Sequence, residues 1–148
     1  MRKGPPRDAG VRRVFVDSGA WIALVSGRDR HHGEADRMVS LAVARRIELL
    51  TTSLVLAEVH RFLLFHAGIA PAIRTLERIE SSPRVVLRFP GPEDHAAARR
   101  WLARLADQVI TYTDAVSFAT MDAARCPTAL SFDHDFTVAG FRLWQHLE

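Results

Sequence analysis

The chain has 148 residues, 48% of them hydrophobic and 25% charged, which is enough to bury one sizeable core and is the balance of a soluble globular protein. No apolar run reaches bilayer-spanning length, and the single cysteine, Cys126, excludes an intrachain disulfide and a thiolate zinc cluster. A net charge of +3 and a pI near 9.9 admit a polyanionic partner without requiring one.

Residues 1–12 are basic, hold two prolines and have no apolar h-region. They are expected to form a flexible arm rather than a secretory signal, ahead of one domain over residues 13–148 in a cytoplasmic protein with no membrane partner. Lys3 is the only lysine, a bias that reads first as codon usage in a GC-rich genome and second as phosphate recognition by guanidinium.

The apolar run 14–16 predicts a strand buried on both faces, followed by one or two helical turns over 20–25 and a polar loop, SGRDRHHG. Ala35, Met38, Val39, Ala42 and Val43 then recur at helical spacing. A second strand is expected over 47–50. Ser53 is expected to cap a helix to His66, stopped by Gly68. Pro71 suits the first turn of a further helix through Ile79. Residues 85–89 predict a third strand and 93–106 an Ala-rich helix flanked by Arg99, Arg100 and Arg104. Thr113 is expected to cap a helix through Ala124, with strands over 129–132 and 141–144. Short apolar strands alternating with helices predict an α/β domain with a parallel sheet covered on both faces.

Four carboxylates stand at the edges of these apolar segments: Asp17 after VFV, Glu58 within SLVLAEVHRFLLF, Asp114 in TDAVSFATM and Asp133 after TALSF. Each has an ordinary reading. Asp17 and Asp114 suit helix starts, Asp133 a turn, and Glu58 an ion pair with Arg61. Together they point to one site, because ligands in open parallel sheets bind beyond the carboxyl ends of the strands, where Asp17 and Asp133 should arrive. Glu58 shares its helical side with Leu54, Val55 and Phe62, so it faces the apolar stripe. Converging carboxylates repel, and a hard divalent cation such as Mg²⁺ or Mn²⁺ is the simplest compensation.

At these residues the chain resembles the PIN domain family of metal-dependent nucleases, which includes the VapC-type ribonuclease toxins. FVDSGAWIAL is similar to the first motif, TTSLVLAEVHRFL to the second, YTDAVSFATM to the third and ALSFDHDFTVAGF to the fourth. The resemblance runs from Val14 to about Leu143 in the expected order. It implies a three-layer α/β/α fold with a mostly parallel central sheet and Mg²⁺- or Mn²⁺-dependent hydrolysis of RNA. Asp17, Glu58, Asp114 and Asp133 would be its catalytic, metal-binding acids. Asp135 could contribute to or replace Asp133, and Ser18 and Thr113 would be supporting hydroxyls. Arg28, Arg30, His31 and Arg61 are expected to contact substrate phosphates. The leading biological role is the toxin of a type II toxin–antitoxin pair, a homodimer neutralised by a small antitoxin protein. The alternatives are an RNA-processing nuclease outside such a pair, and a non-catalytic RNA-binding or protein-interaction module.

Overall fold

The computed structural model of the chain describes residues 10–148, so nearly all of the arm expected over residues 1–12 lies outside the described residues. Five strands, β1 (Arg13–Val16), β2 (Glu48–Thr52), β3 (Val85–Arg88), β4 (Thr128–Leu130) and β5 (Arg142–Leu143), form one sheet in the order β3-β2-β1-β4-β5. Every pairing is parallel, with Phe15 opposite Leu50 on one side and Ala129 on the other. β1 is central, which is why Val14, Phe15 and Val16 form an unbroken apolar run with almost no exposed surface. The edge strands are less demanding. β3 is only partly buried, and β5 is two residues long.

Seven helices complete the three-layer α/β/α fold of the described residues: α1 (Ser18–Val25), α2 (His32–Arg45), α3 (Ser53–His66), α4 (Ile69–Ser81), α5 (Pro92–Arg104), α6 (Tyr112–Ala123) and α7 (Asp135–Val138). No helix among the described residues is long and apolar enough to cross a membrane. In α6 every residue from 115 to 121 is buried, because this helix is enclosed on all sides rather than along one stripe.

The structure corrects several local expectations. Thr52, not Ser53, caps α3, its hydroxyl accepting from the Val55 N–H at 3.2 Å. Thr111, not Thr113, caps α6, accepting from the Asp114 N–H at 3.1 Å. Each cap therefore lies one or two residues before the hydroxyl residue expected to provide it, since the capping residue must itself be extended. β4 stops at Leu130, so Asp133 lies three residues past its strand rather than at its end. The fifth strand shortens to two residues and passes into a 3₁₀ turn, Trp144–His146.

An aromatic cluster fixes the elements that carry the later motifs. Phe118 packs edge-on against Phe136 at 5.1 Å and against Trp101 at 5.4 Å, and it lies 5.5 Å from Phe141. Phe118 sits one turn after Asp114 on α6, and Phe136 sits one residue after Asp135. Their burial sets the positions of both carboxylates relative to the sheet.

Candidate active site

β2 and β3 extend the sheet to one side of β1, whereas β4 and β5 lie on the other. The chain thus reverses direction between β1 and β4, and the connections leaving these two strands part to open a crevice. Asp17 leaves β1 and the segment 131–135 leaves β4, so both enter that crevice. A cleft of about 590 Å³ lies there, lined by Asp17, Glu58, Asp114 and Asp133 together with Ser18, Thr111, Arg30, His31 and Phe132. The four acids named from the sequence share one site.

Asp17 is both a helix cap and a member of this cluster. Its Oδ1 accepts from the Ala20 N–H at 2.9 Å and its Oδ2 from the Ser131 hydroxyl. Burial pushes its pKa up to about 6, with the charges of Asp133 and Glu58 adding to the shift and the two hydrogen bonds opposing it. Glu58 accepts from the Ser18 hydroxyl at 3.0 Å. The expected alternative, an ion pair with Arg61, does not form, and the Arg61 guanidinium instead lies 5.3 Å over the Phe65 ring.

Asp114 occupies the first turn of α6. Burial, reinforced by Asp133, Asp17, Glu58 and Asp135, raises its pKa to about 7 despite the favourable helix terminus. Asp135 is also raised, by desolvation and then by Asp133. Its N–H donates to Asp133 Oδ1 at 2.9 Å, so the two acids are held in one tight turn.

Among the other expected residues, Ser18, Arg30 and His31 line the cleft, whereas Arg28, Arg61 and Thr113 are not among its lining residues. Arg28 and Arg61 are exposed, and the Thr113 carbonyl accepts from the Ser117 hydroxyl. The hydroxyl residue that lines the cleft from this region is Thr111.

Sequence reasoning missed Ser131. Its hydroxyl donates to Asp17 and accepts from the Asp133 N–H at 3.0 Å, joining acids that are far apart in the chain. Its carbonyl accepts from Gln145 at 2.6 Å, which ties this hub to the C-terminal 3₁₀ turn. A hydroxyl residue two positions before an acid is a turn signal, but its bond to Asp17 depends on β1 and β4 being neighbours. Ser131→Ala should destabilise the protein by about 1–3 kcal/mol, because it orphans the Asp133 N–H and an Asp17 oxygen. It should also reduce the rise in melting temperature produced by Mg²⁺. Thermal melts with and without the ion, with Ser131→Thr as the rescuing variant, check this.

The donor chemistry fits a hard divalent cation. Asp114, Asp133 and Asp135 each offer a carboxylate oxygen, all within 4.8 Å of one another, with no thiolate or imidazole in the set. Asp17 and Glu58 add negative charge from the adjoining wall of the same cleft. A second depression of about 580 Å³, lined by Trp21, Val39, Val43, Arg74 and Arg78 among others, contains none of these five acids.

Comparison with known proteins agrees with this geometry. The family model for the PIN domain matches residues 14–142. The 23S rRNA-specific endonuclease VapC20 of two Mycobacterium tuberculosis strains is 31% identical over 128 residues, which is 86% of this chain and 95% of the relative. The crystal structure of Mycobacterium tuberculosis VapC20, described as a sarcin–ricin-loop-cleaving toxin, superposes with a TM-score of 0.77 over 86% of this chain and 95% of that one. By sequence, fold and placement of its acidic motifs, the chain belongs to the PIN domain family.

Proposed function

We propose that the protein is a Mg²⁺- or Mn²⁺-dependent endoribonuclease, the toxin of a type II toxin–antitoxin pair, acting in the cytoplasm through a domain spanning residues 13–148. The observation that carries this reading is the convergence of Asp17, Glu58, Asp114 and Asp133, from four separate chain segments, on one cleft, with an Asp135 oxygen within 4.8 Å of those of Asp114 and Asp133. Asp17, Glu58, Asp114 and Asp133 are the metal-binding acids, and Asp135 is a secondary ligand.

A bound Mg²⁺ or Mn²⁺ supplies Lewis-acid charge to the scissile phosphate and lowers the pKa of water. The chain's own residues orient the reactants. Ser131 holds the Asp17 and Asp133 segments together, Ser18 fixes Glu58, and the short turn from Asp133 to Asp135 keeps their carboxyl groups adjacent. The Ser18 and Ser131 hydroxyls both donate to carboxylates, so neither is poised to become a covalent nucleophile, and water is the attacking group. Arg30 at the cleft wall contacts substrate phosphate.

The substrate is structured RNA, with the sarcin–ricin loop of 23S rRNA, named for the relative, as the first RNA to test. The biological assembly is a homodimer neutralised by a small antitoxin that covers the acidic cleft. Purified protein should cut RNA with Mn²⁺ and stop doing so with a chelator. Asn or Gln replacements at each of the four principal acids should each remove the activity. Cleavage that survives in all four variants, or RNA binding that never leads to cleavage with Mn²⁺, would refute the enzyme reading.

A further inference from the structure

One wall of the acidic cleft is aromatic. The His31 and Phe132 rings stack with centroids 4.1 Å apart and planes 1° from parallel, and both residues line the cleft with Asp133. They come from separate parts of the chain, His31 from the start of α2 and Phe132 from the connection after β4. Both remain partly exposed, unlike Phe118 and Phe136 in the fully buried aromatic cluster. Packing alone does not call for a histidine ring stacked at the mouth of a charged site.

His31 is held in place from several directions. Its N–H donates to Asp29 Oδ1 at 2.8 Å, and its Nε2 accepts from Arg30 Nε at 3.1 Å. With its Nε2 lone pair engaged by the Arg30 Nε–H, His31 does not present that nitrogen to water as a base. What it offers the cleft is a flat, immobilised ring, and the adjacent cation is Arg30. Phe132 immediately precedes Asp133, so ring and carboxylate are presented by consecutive residues of one backbone. A nucleotide whose phosphate sits at the acids would have its base within reach of this wall.

Taking the ribonuclease reading above as its basis, we propose that the His31–Phe132 pair is a stacking platform for an unpaired nucleobase flanking the scissile phosphate. Arg30 contacts the phosphate of the same nucleotide. Every base has a π face, so stacking on aromatic rings binds single-stranded RNA with little dependence on sequence. The platform therefore favours unstacked nucleotides in loops over paired ones. It also gives His31 a different task from the phosphate contact expected from the sequence.

The test compares oligoadenylate with a ribose-phosphate oligomer of equal length and charge that lacks bases. Affinities are measured by fluorescence anisotropy in Mg²⁺, on protein carrying Asp114→Asn so that the RNA stays intact. This parent should prefer oligoadenylate by about tenfold or more. Adding His31→Ala should abolish the preference, weakening oligoadenylate far more than the base-free oligomer, and His31→Phe should retain it. Phe132→Leu, which keeps apolar bulk without a π face, should also lose it. Equal weakening toward both oligomers, or no change toward either, would overturn the platform, as would a parent with no preference. The ribonuclease reading is scored separately, by Mn²⁺-dependent cleavage of sarcin–ricin-loop RNA with Asp114 intact. Absence of cleavage would remove that reading while the base preference still decides the platform, and absence of RNA binding would remove both.

Discussion

Asp114→Asn should lower RNA cleavage by at least about 100-fold and, at the same time, make the metal-free protein more stable at pH 8. The first effect follows from removing one charged oxygen donor from a site where a cation must offset phosphate charge, a contribution of several kcal/mol in such enzymes. The second follows from the position of the Asp114 carboxyl. It is partly buried, faces Asp133, Asp17, Glu58 and Asp135, and has a pKa of about 7 instead of 3.8. Ionising it in the folded protein is therefore costly. Asparagine has nearly the same shape and no charge, and the Thr111 cap survives because it engages the backbone N–H of residue 114. The expected gain is on the order of 3 kcal/mol. Urea unfolding in a chelator, paired with a cleavage assay in Mn²⁺, reads both effects. A variant that is less stable than the parent, or that still cuts efficiently, would show that Asp114 is structural.

The metal-free parent should lose stability as pH rises through the range where most proteins are steady. Asp17 and Asp114 have folded pKa values of about 6 and about 7, both above the ordinary value of 3.8. Between 3.8 and about 7 the folded state thus holds more protons than the unfolded chain. The stability gained from these protonated groups is greatest below 3.8, falls as pH rises and is gone above about 7. From pH 5 to pH 8 the decline should be on the order of 3 kcal/mol, since a tenfold change in proton affinity corresponds to about 1.4 kcal/mol and the two groups are coupled. Millimolar Mg²⁺ should remove most of the decline, because a cation that binds only the folded state favours the ionised acids. Asp17→Asn should abolish most of the Mg²⁺-dependent gain while keeping a capping side chain on α1. Unfolding curves at the two pH values, with and without the ion, are the measurement. A flat response to both pH and Mg²⁺ would count against a shared cation site.

The parts of the site legible in the sequence were those in which a local pattern carried the chemistry. Asp17 stands where a strand ends and a helix begins, Asp114 sits in the first turn of a helix, and Glu58 interrupts an apolar stripe. Such positions are visible without any partner. Asp133 was legible as an acid following an apolar run, but its relation to Asp135 was not, because the sequence shows two acids and not the turn that joins them. Arg28 and Arg61 illustrate the opposite case. Both are close in sequence to a motif and both lie outside the cleft lining, since a loop tip or the far side of a helix can separate near neighbours in the chain.

By itself, the sequence determined the α/β class, the four acids, their grouping into one expected site and the resemblance to nucleases of the PIN family. Strand burial, helix periodicity and the cost of apposed carboxylates are properties of short segments, and they survive reading one segment at a time. The tertiary structure alone decided that β4 lies beside β1, and with it that the Ser131 hydroxyl reaches Asp17. It decided that Thr111 rather than Thr113 caps α6 and lines the cleft, and that His31 meets Phe132 in a parallel stack. Those contacts join residues far apart in the chain or depend on where a helix begins, and only the packed sheet and its aromatic cluster fix them.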